Sequence, residues 1–182
     1  STDFTMLELA KRASISPTTA YNLFGSKGAV LYSLLNRALD SLIQGGELAA
    51  AHSDPVEHPA MTMAQAADFF ISDPGLFRPL YKFQLGEQAL LDRPLYMERA
   101  LDLWRRSLDG LVKAGQIIAR GEGNGFDRDD IAVALLAQSI GILELWVQEE
   151  VSDAEFRARM THDAALLIFA TVDDDGRKRL ME

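Results

Sequence analysis

The stretch from Ala10 to Lys27, AKRASISPTTAYNLFGSK, leaves its backbone few alternatives. Just upstream, Thr5-Met6-Leu7-Glu8 has the form of a capping box, in which the Thr hydroxyl takes the Glu amide and the carboxylate reaches back. The helix it opens puts Met6, Leu9, Ala10 and Ala13 on one side. Ser14-Ile15-Ser16 is long enough only for a sharp turn, with Ile15 plugging inward. Ser16 then caps a second helix and Pro17 occupies its first position, where a missing N–H costs nothing. In that helix Ala20 and Phe24 lie four apart and are expected to face the core with Leu23 beside them. Gly25-Ser26-Lys27-Gly28 opens a third helix whose free amides and dipole favour a phosphate.

Helix, tight turn, helix and a capped third helix form the grammar of a helix-turn-helix reader of DNA. The plainer alternative is an αα-hairpin in a helical core, for which exposed Thr18, Tyr21, Asn22 and Lys27 together would be unusual. Pro17, Thr18, Thr19 and Asn22 are short enough to let backbone approach a major groove and touch base edges. The Tyr21 hydroxyl and the Lys27 ammonium suit phosphates. A net charge of −9 argues at first against nucleic acid, whose binding feeds on phosphate neutralisation. The charge is unevenly spread, however: residues 1–46 carry +1 (Lys11, Arg12, Lys27 and Arg37 against Asp3, Glu8 and Asp40), so the remainder carries −10. A mildly basic head on an acidic body is compatible with local DNA contact.

From Thr5 to Leu31 the chain resembles the TetR family of bacterial transcription regulators, through Thr5, Ala10, Ala13, Ile15-Ser16, Thr19, Tyr21, Phe24, Ser26-Lys27 and Leu31. The resemblance implies an all-helical homodimer that holds double-stranded operator DNA and changes grip when a small molecule enters the larger domain. It also implies that Thr5, Tyr21 and Lys27 grip phosphates while Pro17, Thr18, Thr19 and Asn22 read bases. Three positions depart from the family pattern. Ser14 stands where a turn glycine is usual, which is tolerable only if that residue avoids positive φ. Leu23 replaces an aromatic or His, and Gly28 replaces an acid. The family's first helix has no counterpart, leaving Phe4, Met6, Leu9, Ile15 and Phe24 half covered, so residues preceding Ser1 are expected in the natural protein.

The third helix carries Val30, Leu31, Leu34, Leu35, Ala38, Leu39 and Leu42, a stripe wide enough to pack on both reader and body. Gly45-Gly46 weakens it, and 52–59 is a loop with two prolines, so the domain junction is expected near residue 46: an incomplete reader over 1–46 and a helical ligand-binding and dimerisation domain over 47–182. The body is expected to hold helices around Met63–Ser72 and Gly75–Leu91, the latter kinked by Pro79. A long amphipathic helix follows over Pro94–Arg120, with Met97, Leu101, Trp104, Leu108, Leu111, Gly115 and Ile118 on its apolar side. The glycines of 121–125 do not make a phosphate cradle, since no strand precedes them and no Lys-Ser/Thr follows. Asp127 caps a helix to Glu150, and Ser152 with Glu155 forms a capping box for a last one; the tail from Asp173 is charged and expected to fray. The fold class is therefore all-α.

The helix at 127–150 is apolar nearly all round, with Ala134, Ala137 and Gly141 as a strip for close approach. Together with 152–173 it is the expected homodimer surface, a two-fold four-helix bundle; the alternative is a helix merely central to the monomer. Phe69, Phe70, Phe77, Tyr81 and Phe83 gather aromatics in one short segment, and Trp104, Gln138 and Trp146 could face the same cavity from later helices. Such a cavity would take a small apolar or amphipathic effector, although an ordinary core reads the same way. No cysteine is present, which removes disulfides and thiolate chemistry and fits a cytoplasmic protein. The apolar run Ile131–Val147 is interrupted by Gln138, Ser139 and Glu144, so no membrane association is expected. His52, His58 and His162 are not paired with ligands at helical spacing, so no metal, cofactor or catalytic constellation is expected, and the chain reads as a non-enzyme. The functional expectation is a ligand-modulated DNA-binding regulator acting as a repressor. The alternative is a helical small-molecule-binding or interaction protein with a vestigial reader.

Overall fold

A computed structural model describes residues 4–50, 53–85, 93–117 and 126–181. Its helices are α1 (Met6–Arg12), α2 (Pro17–Phe24), α3 (Lys27–Ala50), α4 (His58–Ile71), α5 (Pro74–Leu85), α6 (Arg93–Ser107), α7 (Asp109–Lys113), α8 (Arg128–Val147), α9 (Asp153–Thr171) and α10 (Asp174–Arg179). No strand occurs among the described residues, only an isolated bridge between Ile117 and Val172. The glycine loop expected at 121–125 lies outside the described residues.

The capping box forms as its residue types require. Glu8 N donates to Thr5 Oγ1 at 3.1 Å and Thr5 N donates to Glu8 Oε2 at 2.7 Å. The Thr5 backbone amide and then its hydroxyl hold the Glu8 carboxyl below its usual range. The far end of α1 corrects the sequence expectation: Ser14 has φ 56°. Its conformation is imposed by a Schellman ending, with Ile15 N donating to Ala10 O at 3.0 Å and Ser14 N to Lys11 O at 3.3 Å. Ile15 packs back on the small cluster of Met6, Ala10, Ala20 and Val30, supplying the apolar contact that usually accompanies the motif. The turn therefore keeps its geometry without glycine, at the steric cost of a Cβ in the left-handed region. Gly25, at φ 73°, ends α2 without that cost.

The expected junction near residue 46 meets an unbroken helix, because α3 continues through Gly45-Gly46 to Ala50. Its first turns serve two cores. Val30 belongs to the small head cluster, whereas Leu31, Tyr32, Leu35, Ala38, Leu39 and Leu42 belong to the large one. The long helix expected over Pro94–Arg120 divides in two. Leu108 N bonds back to Arg105 O at 3.1 Å, a tighter turn that separates α6 from α7. Gly115, at φ 68°, then closes a second Schellman ending, with Gln116 N donating to Leu111 O at 3.1 Å. Residues 118–120 of the expected helix fall outside the described residues.

The tail does not fray. Asp173 caps α10 by accepting from Gly176 N at 2.8 Å, and Asp173 N donates to Gln116 O at 3.0 Å. Arg179 in turn places one guanidinium nitrogen 2.9 and 2.8 Å from the two Asp54 carboxylate oxygens. Around the large core α4 packs on α3 and α9, while α8 packs on α5, α6 and α9. Trp146 and Phe156 are both fully buried and stack with centroids 5.0 Å apart. Trp146 Nε1 donates to Asp153 Oδ1 at 2.7 Å, and Arg78 reaches the same oxygen at 3.1 Å while lying 4.6 Å from the indole centroid. That cluster ties α5, α8 and the start of α9 together.

Among the described residues α8 is the one helix long and apolar enough to cross a membrane, with a mean hydropathy of 1.7 over its best window. Its packing on three other helices accounts for one apolar side. The other side presents Val133, Ala137 and Gly141 outward.

Replacing Ser14 with glycine removes the Cβ from a left-handed position that the flanking hydrogen bonds hold fixed. Ser14→Gly should stabilise the α1–α2 unit by about 0.5–1 kcal/mol. Hydrogen exchange of the α1 and α2 amides should slow accordingly, and unchanged or faster exchange would contradict the turn geometry.

Candidate nucleic-acid interface and internal cavity

At the head, Ala20 anchors α2 at 0 % exposure, and the rest of the helix projects around it. Pro17, Thr18, Thr19, Tyr21 and Asn22 are all exposed, as is Thr5 at the start of α1. They are not equally available. The Thr19 hydroxyl lies 2.8 Å from Ser16 Oγ within the α2 cap, and the Thr5 hydroxyl donates to Glu8 at 3.0 Å. Lys27 is half-buried, with its ammonium 5.1 Å from the Phe4 ring centroid. It sits in the first turn of α3, where Ser26 Oγ accepts from Ala29 N at 3.1 Å. A cation there opposes the helix dipole and becomes favourable when an anion is shared between them. Leu23, expected to face the core beside Phe24, instead stands 66 % exposed, and Phe24 is partly covered, at 36 % exposure. Ala20 is the buried residue that α2 contributes to the small cluster, to which Leu23 and Phe24 do not belong.

Within the body a cavity of about 60 Å³ lies among α3, α4, α5, α6, α8 and α9. Phe70, Tyr81 and Trp104 line it, whereas Phe69, Phe77, Gln138 and Trp146 do not. Phe69 and Phe77 pack on one another with centroids 4.9 Å apart, and Trp146 is sealed beneath Arg78 and Phe156. Both amide atoms of Gln138 are buried without a hydrogen bond.

The lining residues that sequence reasoning missed include Leu39, Arg93, Tyr96, Ser139, Glu144 and Met160. A signal existed for Tyr96. Tyr96, Ala100, Leu103, Trp104 and Ser107 are the buried positions of α6 and stand at i, i+4, i+7, i+8 and i+11. The competing phase through Met97, Leu101 and Leu108 fits the same period and concealed it.

Tyr81 and Tyr96 join their hydroxyls at 2.9 Å inside this lining. Burial pushes both phenols up, Tyr96 to about 12 and Tyr81 well above its usual value, so both stay neutral across the physiological range. Tyr96 also meets Tyr32 of α3 edge-on at 6.2 Å, and Tyr32 meets Phe83 of α5 at 6.0 Å. On the outer side of the α3–α6 contact Arg99 donates to Asn36 and Asp40, and Arg106 reaches Glu47 at 2.9 Å. The cavity wall and the helix that begins beneath the head are thus joined by both aromatic and polar contacts.

The architecture has counterparts among solved structures. A protein from Syntrophomonas wolfei strain Goettingen, assigned to the TetR family of transcriptional regulators, is 18% identical over 91% of this chain and 84% of that chain, with a TM-score of 0.76. The TetR-family transcriptional regulator PfmR from Thermus thermophilus is 20% identical over 91% of this chain and 87% of that chain, with a TM-score of 0.56. No protein-family model and no curated protein matches the chain. At these identities the likeness is one of fold: an all-helical chain with a helix-turn-helix head and a larger helical body, the fold of TetR-family regulators.

The raised phenols give a pH signature. Their neutral form is favoured in the folded state, so their contribution to stability is intact below the unfolded value and lost as pH rises through the folded one. At about pH 11 Tyr81 and Tyr96 should give no tyrosinate absorbance while helicity by circular dichroism persists. At that pH tyrosinate from Tyr81 and Tyr96 should appear only with helix loss; its appearance there in a fully helical chain would refute their burial.

Proposed function

We propose that this chain is a DNA-binding transcriptional regulator of the TetR family, a cytoplasmic bacterial repressor that works as a homodimer and releases its operator when a small molecule enters the body. The observation that carries this reading is the outward row Thr18, Tyr21 and Asn22 on α2, braced through buried Ala20. In such a regulator α2 enters the major groove, with Pro17, Thr18, Thr19 and Asn22 at base edges and Thr5, Tyr21 and Lys27 at phosphates. Small side chains near the N-terminal end permit the close approach. The exposed Lys11, Arg12 and Arg37 add sequence-independent attraction that offsets the acidity of the body.

Two readers need a fixed separation of about 34–36 Å, one DNA turn. The dimer is proposed through α8 and α9. Val133, Ala137 and Gly141 on α8 and Leu166, Phe169 and Ala170 on α9 are all exposed, Leu166 to 68 %, and Val133 and Ala170 line one surface depression. Large apolar side chains beside small ones are what a close four-helix contact requires.

The effector enters the cavity, which at about 60 Å³ is smaller than the roughly 150 Å³ void that accepts a benzene. Binding must therefore widen it. Widening separates α6 from α3, and α3 carries the reader. The ligand shifts the equilibrium only through its higher affinity for the widened state.

Fluorescence anisotropy with the natural upstream DNA tests the reader. Asn22→Ala should cost about 1–3 kcal/mol and relax sequence preference, while Lys27→Ala should weaken all sequences alike and lower the salt slope by about one. No binding even at low salt would favour the vestigial-reader alternative. Light scattering tests the dimer: Leu166→Glu should yield a folded monomer, and a dimer that survives it contradicts the proposed surface.

A further inference from the structure

The cavity's chemistry narrows the ligand it would accept, on the reading that it is the effector site. Most of its wall is aliphatic or thioether, through Leu39, Leu42, Met97, Leu136, Leu143 and Met160. Among its described lining residues only Arg93 and Glu144 carry charge. The two differ in what water does for them. Arg93 is half-buried and its Nε is enclosed without a hydrogen-bond partner. Glu144 is exposed, and solvent satisfies it. A buried donor left unpaired is costly, and an acceptor that reaches it as the cavity widens recovers that cost. An ammonium brought to Glu144 would gain only a screened surface pair, while approaching the guanidinium.

The remaining polar groups point the same way. In the Tyr81–Tyr96 pair one hydroxyl donates to the other, which leaves the acceptor's own proton for a further partner. Both phenols are neutral, so neither repels an anion. The Ser139 hydroxyl gives its proton to Leu136 O at 2.8 Å and keeps only acceptor capacity, so the donors facing an acceptor come from Arg93 and the tyrosine pair. Arg93 also opens α6, a helix of 15 residues whose positive dipole end adds to the guanidinium charge.

We propose that this cavity takes an amphipathic carboxylate, its apolar tail among the leucines and methionines and its carboxylate paired with Arg93. Met97 and Met160 can change rotamer cheaply, and they supply the adjustable wall that a tail larger than the resting cavity needs.

Three probes of one length separate the chemistries: octanoate, octan-1-ol and octylamine, titrated into the purified chain by calorimetry with tryptophan fluorescence as a second signal. Octanoate should bind roughly tenfold or more tighter than either of the others. Arg93→Gln should bring octanoate down to the level of octanol and leave octanol unchanged, while Arg93→Lys should retain most of the preference. Octylamine binding tightest, octanol matching octanoate, or an octanoate preference that survives Arg93→Gln would each overturn the carboxylate assignment while leaving an effector cavity in place. No binding of any probe to a fully helical protein would overturn the effector cavity itself, and this assignment with it.

Discussion

The unbroken course of α3 is the constraint on which the arrangement depends. Val30 and Leu31 are neighbours in sequence, yet one closes the small head cluster and the other enters the large core. Among the described residues the head buries Met6, Ala10, Ala20 and Val30 in its own cluster, with Phe4, Leu9 and Ile15 packed against it. Val30, which closes that cluster, belongs to α3 and not to the two short helices. The head's geometry is therefore borrowed from α3, and α3 is held by the body. The 24 residues of α3 span about 36 Å at the usual rise, so a small tilt at one end becomes a displacement at the other. Gly45 and Gly46 each cost up to about 1 kcal/mol in a helix interior. The helix passes through them because its apolar stripe is already committed to the core.

Polar contacts set the register of that core more than its strength. Arg99 with Asn36 and Asp40, Arg106 with Glu47, and Arg157 with Asp68 are largely solvent-exposed, a class worth about 0–1 kcal/mol each. Burial of Trp146 against Phe156 is of another order, since truncating a core aromatic typically costs about 3–5 kcal/mol. The exposed pairs instead choose among packings that are nearly equal in apolar area. Arg105 illustrates this. Its Nε and one terminal nitrogen each lie 3.1 Å from an Asp129 oxygen, which fixes the azimuth of α8 relative to α6.

What the sequence made legible was local. Thr5, Ser16 and Asp127 cap as their side chains and spacing require, and the all-α plan follows from the 3.6-residue period. What it concealed depended on partners far away in the chain. Ser14 tolerates positive φ because Ile15 finds apolar cover, and nothing within the turn announces that. The end of α7 at Gly115 becomes favourable once Gln116 and Ile117 meet Asp173 and Val172. The same meeting orders α10, whose charged composition looks solvated until Asp54 is set opposite Arg179. Of the aromatic cluster, Phe70 and Tyr81 reach the cavity while Phe69 and Phe77 do not, a choice made by helix azimuth that aromatic content cannot encode.

The distribution of these contacts decides which wall of the cavity yields first. α8 is fixed to α9 by the Trp146–Phe156 stack, and α5 is tied to the same indole through Arg78. Moving either wall would break buried aromatic packing. α3 meets α6 through Tyr32 on Tyr96 and, outside, through Arg99 and Arg106. Those polar contacts can be exchanged for water at little cost, and an edge-on ring pair slides more readily than a stacked one separates. Of these contacts the polar ones between α3 and α6 are the most readily exchanged, and α3 is also the helix that runs on from the head. On the proposed reading, expansion of the cavity and displacement of the head would be one motion, without a separate relay between them.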